Sequence, residues 1–280
     1  MRVRVMVLAV VAALLAMTPP AQAATPAPGR AMWLWDRPDP ADLVAFAVDH
    51  GVSEIFVSLP PDLAHDPSLG YYRDLRARTR AAGIAMSALG SETTYVDQPR
   101  VALAWQRSAL STGLFDGVHL DIEPWIHPDW KTARPALLDR YLALLSTLAG
   151  DTTLPVEADI AFWLDTIKVH GHRLDRQVIA RVDAVTVMTY RHVATGPDGI
   201  LALGAKAIEA ATAAGKPVRL AVETNHLGDG PIALKQTFWS RPQPELTGVL
   251  AQVDAGVPAG STYRGIAVHD YEGWRALAEL

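Results

Sequence analysis

Along most of this chain, short runs of alternating or continuous apolar residues give way to longer stretches with apolar residues at helical spacing. Ala31-Met32-Trp33-Leu34-Trp35 reads as a strand. Leu43, Val44, Phe46, Ala47 and Val48 then give residues 41–50 the stripe of an amphipathic helix, closed by Gly51. The same rhythm predicts further strands at 54–59, 84–89, 116–123, 154–162, 184–190, 218–224 and 265–269. Helices are expected at 71–82, 100–112, 135–149, 173–181, 200–214, 244–255 and 272–280, several of them stopped by glycine. Strict alternation of strand and helix implies a parallel sheet. Eight such units in about 250 residues is the size of a single (β/α)8 TIM barrel. The turn Trp35-Asp36-Arg37-Pro38 lacks the glycine-rich phosphate cradle of a doubly wound sheet. Residues 31–280 are therefore expected to form one barrel domain, with 225–242 as an elaborated loop.

One strand departs from the pattern. In Phe115-Asp116-Gly117-Val118-His119-Leu120-Asp121-Ile122-Glu123-Pro124-Trp125, the residues His119, Asp121 and Glu123 fall on one face and Val118, Leu120 and Ile122 on the other. Three ionisable side chains on one strand face are costly if buried and unpaired. A barrel places its chemistry at the C-terminal ends of its strands. Those ends carry Trp33 and Trp35, Ser58, Glu92, Asp121 and Glu123 with Trp125 just beyond, and Asp159 with Trp163. Tyr190, then Glu223 with Asn225, and finally His269 with Asp270 and Tyr271 complete the circuit. Carboxylates flanked by aromatic rings suit the hydrolysis of glycosidic bonds, and tryptophan faces suit sugar rings. Asp121 and Glu123 stand roughly 6–7 Å apart along the strand. Neighbouring carboxylates resist ionising together, so one pKa rises toward the range a general acid needs.

Asp116-x-x-His119-x-Asp121-x-Glu123 resembles the Asp-x-x-Asp-x-Asp-x-Glu strand of glycoside hydrolase family 18, the chitinase-like barrels. As in that family, the motif falls on the fourth strand and Met188-Thr189-Tyr190 falls on the sixth. The resemblance implies Glu123 as the general acid, Asp121 as the group that orients a substrate acetamido group or tunes Glu123, and Tyr190 as a hydrogen-bonding partner of the same region. It implies an aromatic floor from Trp274 or Tyr271, and a mechanism in which the substrate's own N-acetyl group attacks. His119 stands where the family has its middle Asp, within reach of a hydrogen bond to Asp121, and Arg191 stands where the family has Asp after the tyrosine. Both departures bear on the substrate.

Two other readings remain. Glu123 as acid/base and Glu223 as nucleophile would make a retaining pair about 5–5.5 Å apart, although Ile122 replaces the asparagine that usually precedes such an acid. The alternative for Glu223 is an ion pair with Lys235 or Arg219. A barrel that binds carbohydrate without turnover is the other. A metal-dependent hydrolase lacks a convincing ligand set: His269-Asp270 stands alone, and His170 and His172 read as surface residues. No cofactor is expected.

Composition narrows the field further. Half of the 280 residues are hydrophobic and a fifth are charged, as in ordinary globular domains. The formal net charge is -5, the Lys and Arg residues are scattered, and no nucleic-acid motif is present. The chain has no cysteine, which excludes disulfides and thiol catalysis. Met1-Arg2-Val3-Arg4, the apolar run 5–17 and Ala21-Gln22-Ala23 have the form of a secretory signal. The expectation is a signal peptide over 1–23, a linker over 24–30, and a secreted protein with no membrane span after cleavage. A monomer is the expected state.

Overall fold

The computed structural model describes residues 28–279. The expected signal peptide and the first part of the linker lie outside the described residues. Eight parallel strands close into a barrel: β1 (Gly29–Leu34), β2 (Val52–Ser58), β3 (Ala85–Gly90), β4 (Gly117–Leu120), β5 (Val156–Ala161), β6 (Ala184–Met188), β7 (Val218–Glu223) and β8 (Tyr263–His269). Each strand is flanked by its neighbours in sequence, and β8 pairs with β1. The helices that return the chain are α1 (Pro40–Asp49), α2 (Leu69–Ala81), α3 (Pro99–Ser111), α4 (Arg134–Gly150), α5 (Leu174–Ile179), α6 (Ile200–Ala213), α7 (Gln243–Gly256) and α8 (Tyr271–Leu277). The expected TIM barrel is the observed fold. Among the described residues no helix is long and apolar enough to cross a membrane.

Local chemistry sets the element ends. Asp39 caps α1 by accepting from the backbone N–H groups of Ala41 and Asp42, with Pro40 in the first turn. Gly51, Gly83, Gly113 and Gly215 take up left-handed φ just past their helices. Gly29 and Arg30, expected in the linker, belong to β1. The motif strand is shorter than expected: β4 ends at Leu120, and Pro124–Ile126 forms a 3-10 turn. The Asp121 N–H still reaches the Gly90 carbonyl at 2.9 Å, which continues the strand's course to the rim.

Alternation divides the side chains between two cores. Outside the sheet, Val118, Leu120 and Ile122 join the strand and helix residues that pack the barrel wall. Inside, Trp33, Phe56 and Leu89 interlock with the small residues Ala31, Ala221 and Ala267. Beneath them, at the N-terminal end of the barrel, lies an ion cluster. Arg219 bonds Glu157 at 2.7 Å and Glu54 at 2.6 Å, and Arg264 also donates to Glu157. Ser87 and Thr186 hydroxyls cap the remaining glutamate oxygens at 2.7 Å. The register of β8 shifts between Tyr263 and Ile266. Gly265 sits there at φ 125°, where a Cβ would lie 1.9 Å from the Gly29 carbonyl oxygen, so only glycine fits.

Candidate active site

The C-terminal rim gathers side chains from strands far apart in sequence. His119 is fully buried, stacked on Phe56 with ring centroids 3.6 Å apart. Its Nε2 lies 2.9 Å from Asp159 Oδ2, and its Nδ1 lies 3.8 Å from Glu157 Oε2. The ring thus links the upper and lower carboxylates of β5. Burial opposes a charged imidazole, but Asp159 and Glu157 outweigh it and hold the pKa at about 10. Two expectations for His119 are corrected: its hydrogen-bonded carboxylate is Asp159, not Asp121, and its burial keeps it from touching substrate. Register explains the first, since His119 pairs with Glu157, which leaves Asp159 one step further up the same inward face.

Above His119 stand three carboxyl groups. Asp121 Oδ1 and Asp159 Oδ1 are buried and have no hydrogen-bond partner. Burial, then the charges of Asp159 and Glu123, push Asp121 well above the usual carboxylate range. Asp159 is raised by burial even though His119 pulls it down. Glu123, partly buried, is raised by burial and by Asp159, with the neighbouring Trp125 indole offsetting part of the shift. These groups favour holding protons at a pH where exposed carboxyls have lost them. Asp116, the first acid of the motif, works elsewhere. Both its oxygens bind Arg76 at 2.6 Å, and one accepts from the Met86 N–H, tying α2 to β3 and β4.

Glu223 is almost fully engaged. Its Oε1 accepts from the Thr224 N–H at 2.8 Å and from the Asn225 backbone and side chain at 2.7 and 3.1 Å. Its Oε2 lies 2.9 Å from His269 Nδ1, an ion-pair distance outside good hydrogen-bond alignment. The Trp35 indole donates to His269 Nε2 at 2.9 Å. An indole N–H can only donate, so it demands a lone pair there and leaves the His269 proton on Nδ1, facing Glu223. Burial opposes charging His269, and Glu223 raises its pKa nevertheless. Neither of the ion-pair partners weighed for Glu223 is used: Lys235 bonds Asp198, and Arg219 belongs to the ion cluster below. Asn225 and Trp35 act here by holding Glu223 and His269.

Tyr190 projects into the same space, with its ring 6.2 Å from His269. Burial, then the charges of Glu223, Asp121, Asp159 and Glu123, push its hydroxyl well above the usual tyrosine value. Arg191 turns away: it donates to Asp198 at 2.7 Å and to the Tyr190 carbonyl, fastening the loop after β6.

Other expected site residues lie elsewhere. Trp33 is buried beneath the rim, edge-on to Phe56, His119 and His269, so it packs under the site and offers no face to a sugar. Trp274 lies outside the barrel against Phe46 and His50 of the first helical layer, and Tyr271 packs on Phe46 beside it. Neither forms a floor, because α8 begins directly after β8 and carries both rings to the outer layer. Asp270 starts that helix, accepting from the Gly273 N–H at 2.9 Å. Glu92 is exposed on the loop after β3. His170 and His172 are on the surface, as expected. Trp125 and Trp163 do meet, at 5.4 Å, and Trp130 extends their row at 5.8 Å from Trp163. Trp130 was not anticipated, nor was the Arg219 cluster. A signal for the cluster exists in Arg219-x-Ala221-x-Glu223, which puts an arginine on the inward face of β7. Among the described residues no three His, Asp or Glu side chains converge in a metal-binding arrangement.

No protein-family model matches the chain, and no curated protein matches it in sequence. Solved structures do match in fold. A GH18 chitinase from Pseudoalteromonas aurantia superposes with a TM-score of 0.58 at 11% identity, covering 90% of this chain and 99% of that one. The endo-beta-N-acetylglucosaminidase of Cordyceps militaris gives 0.56 at 12% identity, covering 88% and 82%. The spore cortex-lytic enzyme SleL of Bacillus megaterium gives 0.55 at 12% identity, covering 90% and 73%. The chain therefore has the barrel fold of family 18-type glycoside hydrolases, and the resemblance read from strands four and six is met at the level of fold.

Proposed function

We propose that this chain is a secreted glycoside hydrolase that cleaves glycosidic bonds of a polysaccharide or glycan, with Glu123 as general acid and Asp121 assisting. The observation that carries the reading is the set of raised, incompletely paired carboxyls of Asp121, Glu123 and Asp159 at the rim. Burying acids without arginines or a full set of donors is expensive, and a proton-transfer site is what makes that expense useful. Three fold neighbours, named as a chitinase, an endo-beta-N-acetylglucosaminidase and a spore cortex-lytic enzyme, support it. Secretion rests on the N-terminal sequence alone.

In this reading Glu123 gives its proton to the glycosidic oxygen as the bond to the anomeric carbon breaks, and the bonding electrons leave with that oxygen. On an N-acetylated sugar, the substrate's acetamido oxygen attacks the anomeric carbon, with Asp121 orienting that group. Water then adds while Glu123 takes back a proton, so one bond is broken for one water consumed. Tyr190, whose ring lies in the same space as these acids, is the hydroxyl that would hydrogen-bond the reacting sugar. His119 acts through Asp159 and does not itself touch the sugar.

The second reading, with Glu223 as nucleophile, is disfavoured by the three donors on Oε1 and the imidazole at Oε2. A panel of polysaccharides assayed for new reducing ends, with wild type beside Glu123→Gln, tests the first. The variant should lose on the order of 10²- to 10⁴-fold in rate and keep its melting temperature. A variant as active as wild type would remove Glu123 from the chemistry. Binding without turnover by the wild type across the panel would favour the non-catalytic barrel.

A further inference from the structure

The structure assigns a polyanion-binding track to one flank of the barrel rim, and we propose that its ligand is a glycan chain bearing carboxylate or phosphate groups. As a statement about substrate, this rests on the hydrolase reading above. The sequence shows no basic cluster, and the chain carries 30 acidic against 25 basic residues. The fold nevertheless collects cations from the segments that follow β4 and β5. One cavity of about 480 Å³ is lined by Trp130, Lys131, Arg134 and Lys168 among others. A second, also about 480 Å³, continues from Lys168 to His172, Arg173, Arg176 and Arg181. Neither cavity has an acidic residue in its lining.

Acids near the second cavity pair with two of its cations, Arg173 and Arg176, and Asp165 also lies close enough to act on Arg173. Asp175 is held by Arg173 at 2.5 Å, Asp129 by Arg140 at 2.7 Å, and Asp139 by His170 at 2.7 Å. Glu209 lies between Arg176 and Lys206, at 3.5 and 3.6 Å. Among the described residues, Lys131, Arg134, Lys168 and Arg181 have no acidic partner within ion-pair distance. Arg134 instead lies over the Trp130 ring, 4.5 Å from its centroid. The free charge of the track therefore comes from these four unpaired cations, Arg173 and Arg176 being already matched by Asp175 and Glu209. Unpaired cations on a concave surface concentrate anions and offer them charge-assisted hydrogen bonds.

The aromatic row joins these cavities to the reacting centre. Trp125 follows Glu123 by two residues, meets Trp163 at 5.4 Å, and Trp163 meets Trp130 at 5.8 Å. Trp130 itself lines the first basic cavity. Indoles offer faces for pyranose rings, and the cations beyond them offer partners for acidic substituents. A glycan with its scissile bond at Glu123 would run outward along this row. The link to a sugar-cleaving rim favours a glycan over a nucleic acid.

The test measures binding to full-length Glu123→Gln protein, so no turnover is required and a failed catalytic assignment leaves the result readable. The probes are hyaluronan oligosaccharides, a poly(ribitol phosphate), size-matched neutral chito-oligosaccharides and a single-stranded DNA oligomer. At low salt at least one anionic glycan should bind about tenfold tighter than the neutral chain, and the tighter of the two identifies the acidic group. Added salt should erode the difference, and Lys131→Glu with Lys168→Glu should remove about tenfold of the affinity. Both lysines are exposed, so the variant should melt with its parent. Equal binding of neutral and anionic glycans, or an unchanged double variant, would overturn the proposal. DNA binding as tight as the best glycan would overturn it in favour of a nucleic-acid surface.

Discussion

Two groups of buried carboxylates occupy the same barrel, and the protein treats them in opposite ways. At the floor, Glu54 and Glu157 are met by Arg219 and Arg264, with hydroxyls of Ser87 and Thr186 on their remaining oxygens. Burial alone would raise Glu157, but the two arginines hold it well below the usual range. At the rim, Asp121, Glu123 and Asp159 face one another with His119 beneath as the hydrogen-bonded cation of Asp159, and all three are raised. The two groups lie on neighbouring inward positions of one strand, at Glu157 and Asp159. Carboxylates inside a barrel are therefore no mark of function by themselves. Whether the protein supplies their counter-charges separates scaffold from site.

Breaking the floor should cost the fold. Glu157→Gln leaves two arginines sharing one fewer carboxylate, and loss of a buried ionic partner costs about 3–5 kcal/mol. At roughly 2–4 °C per kcal/mol for a domain of this size, calorimetry should show a clear drop in melting temperature. A melting temperature equal to wild type would mean that the floor cluster is not structural. A smaller effect of opposite sign is expected at the rim. Asp121→Asn replaces a carboxyl that ionises freely in the unfolded chain but is kept from ionising by burial in the fold, so the variant should be more stable by about 1 kcal/mol at neutral pH, while slowing hydrolysis. Denaturant unfolding and rate assays on one preparation would show both, and a destabilised variant would place Asp121 with the floor group.

The two groups also predict opposite pH dependence. A carboxyl whose folded pKa is raised contributes stability that is complete below its unfolded pKa and is lost as pH rises through the folded value. Asp121 and Glu123 behave this way. Glu157, whose folded pKa is depressed, contributes stability above its unfolded value and loses it as pH falls. Asp121→Asn should flatten the first limb and leave the second.

Much of this architecture was legible in the chain. Helix-closing glycines and the change from alternating to helical spacing located the strands and helices to within a few residues. The motif strand's alternation correctly aimed His119, Asp121 and Glu123 inward. Contacts that depend on register between strands were not legible. Asp159 as the partner of His119, and Arg219 as the partner of Glu157 and Glu54, join residues 40, 62 and 165 positions apart. Trp274 looked like a floor because it follows β8, but the helix capped by Asp270 carries it to the outside. The first basic cavity was invisible because Lys131 and Arg134 meet Lys168 only once the segments after β4 and β5 fold beside each other, whereas Lys168, Arg173, Arg176 and Arg181 of the second lie within one stretch of sequence.

The difference between rim and floor can be measured most directly by carboxyl carbon-13 NMR titration of glutamate-labelled protein, with Glu123→Gln and Glu157→Gln to assign the two resonances. Glu123 should titrate above the ordinary glutamate value of 4.5 and Glu157 well below it. A Glu123 resonance that titrates at or below that value would contradict its assignment as the protonated acid of the site.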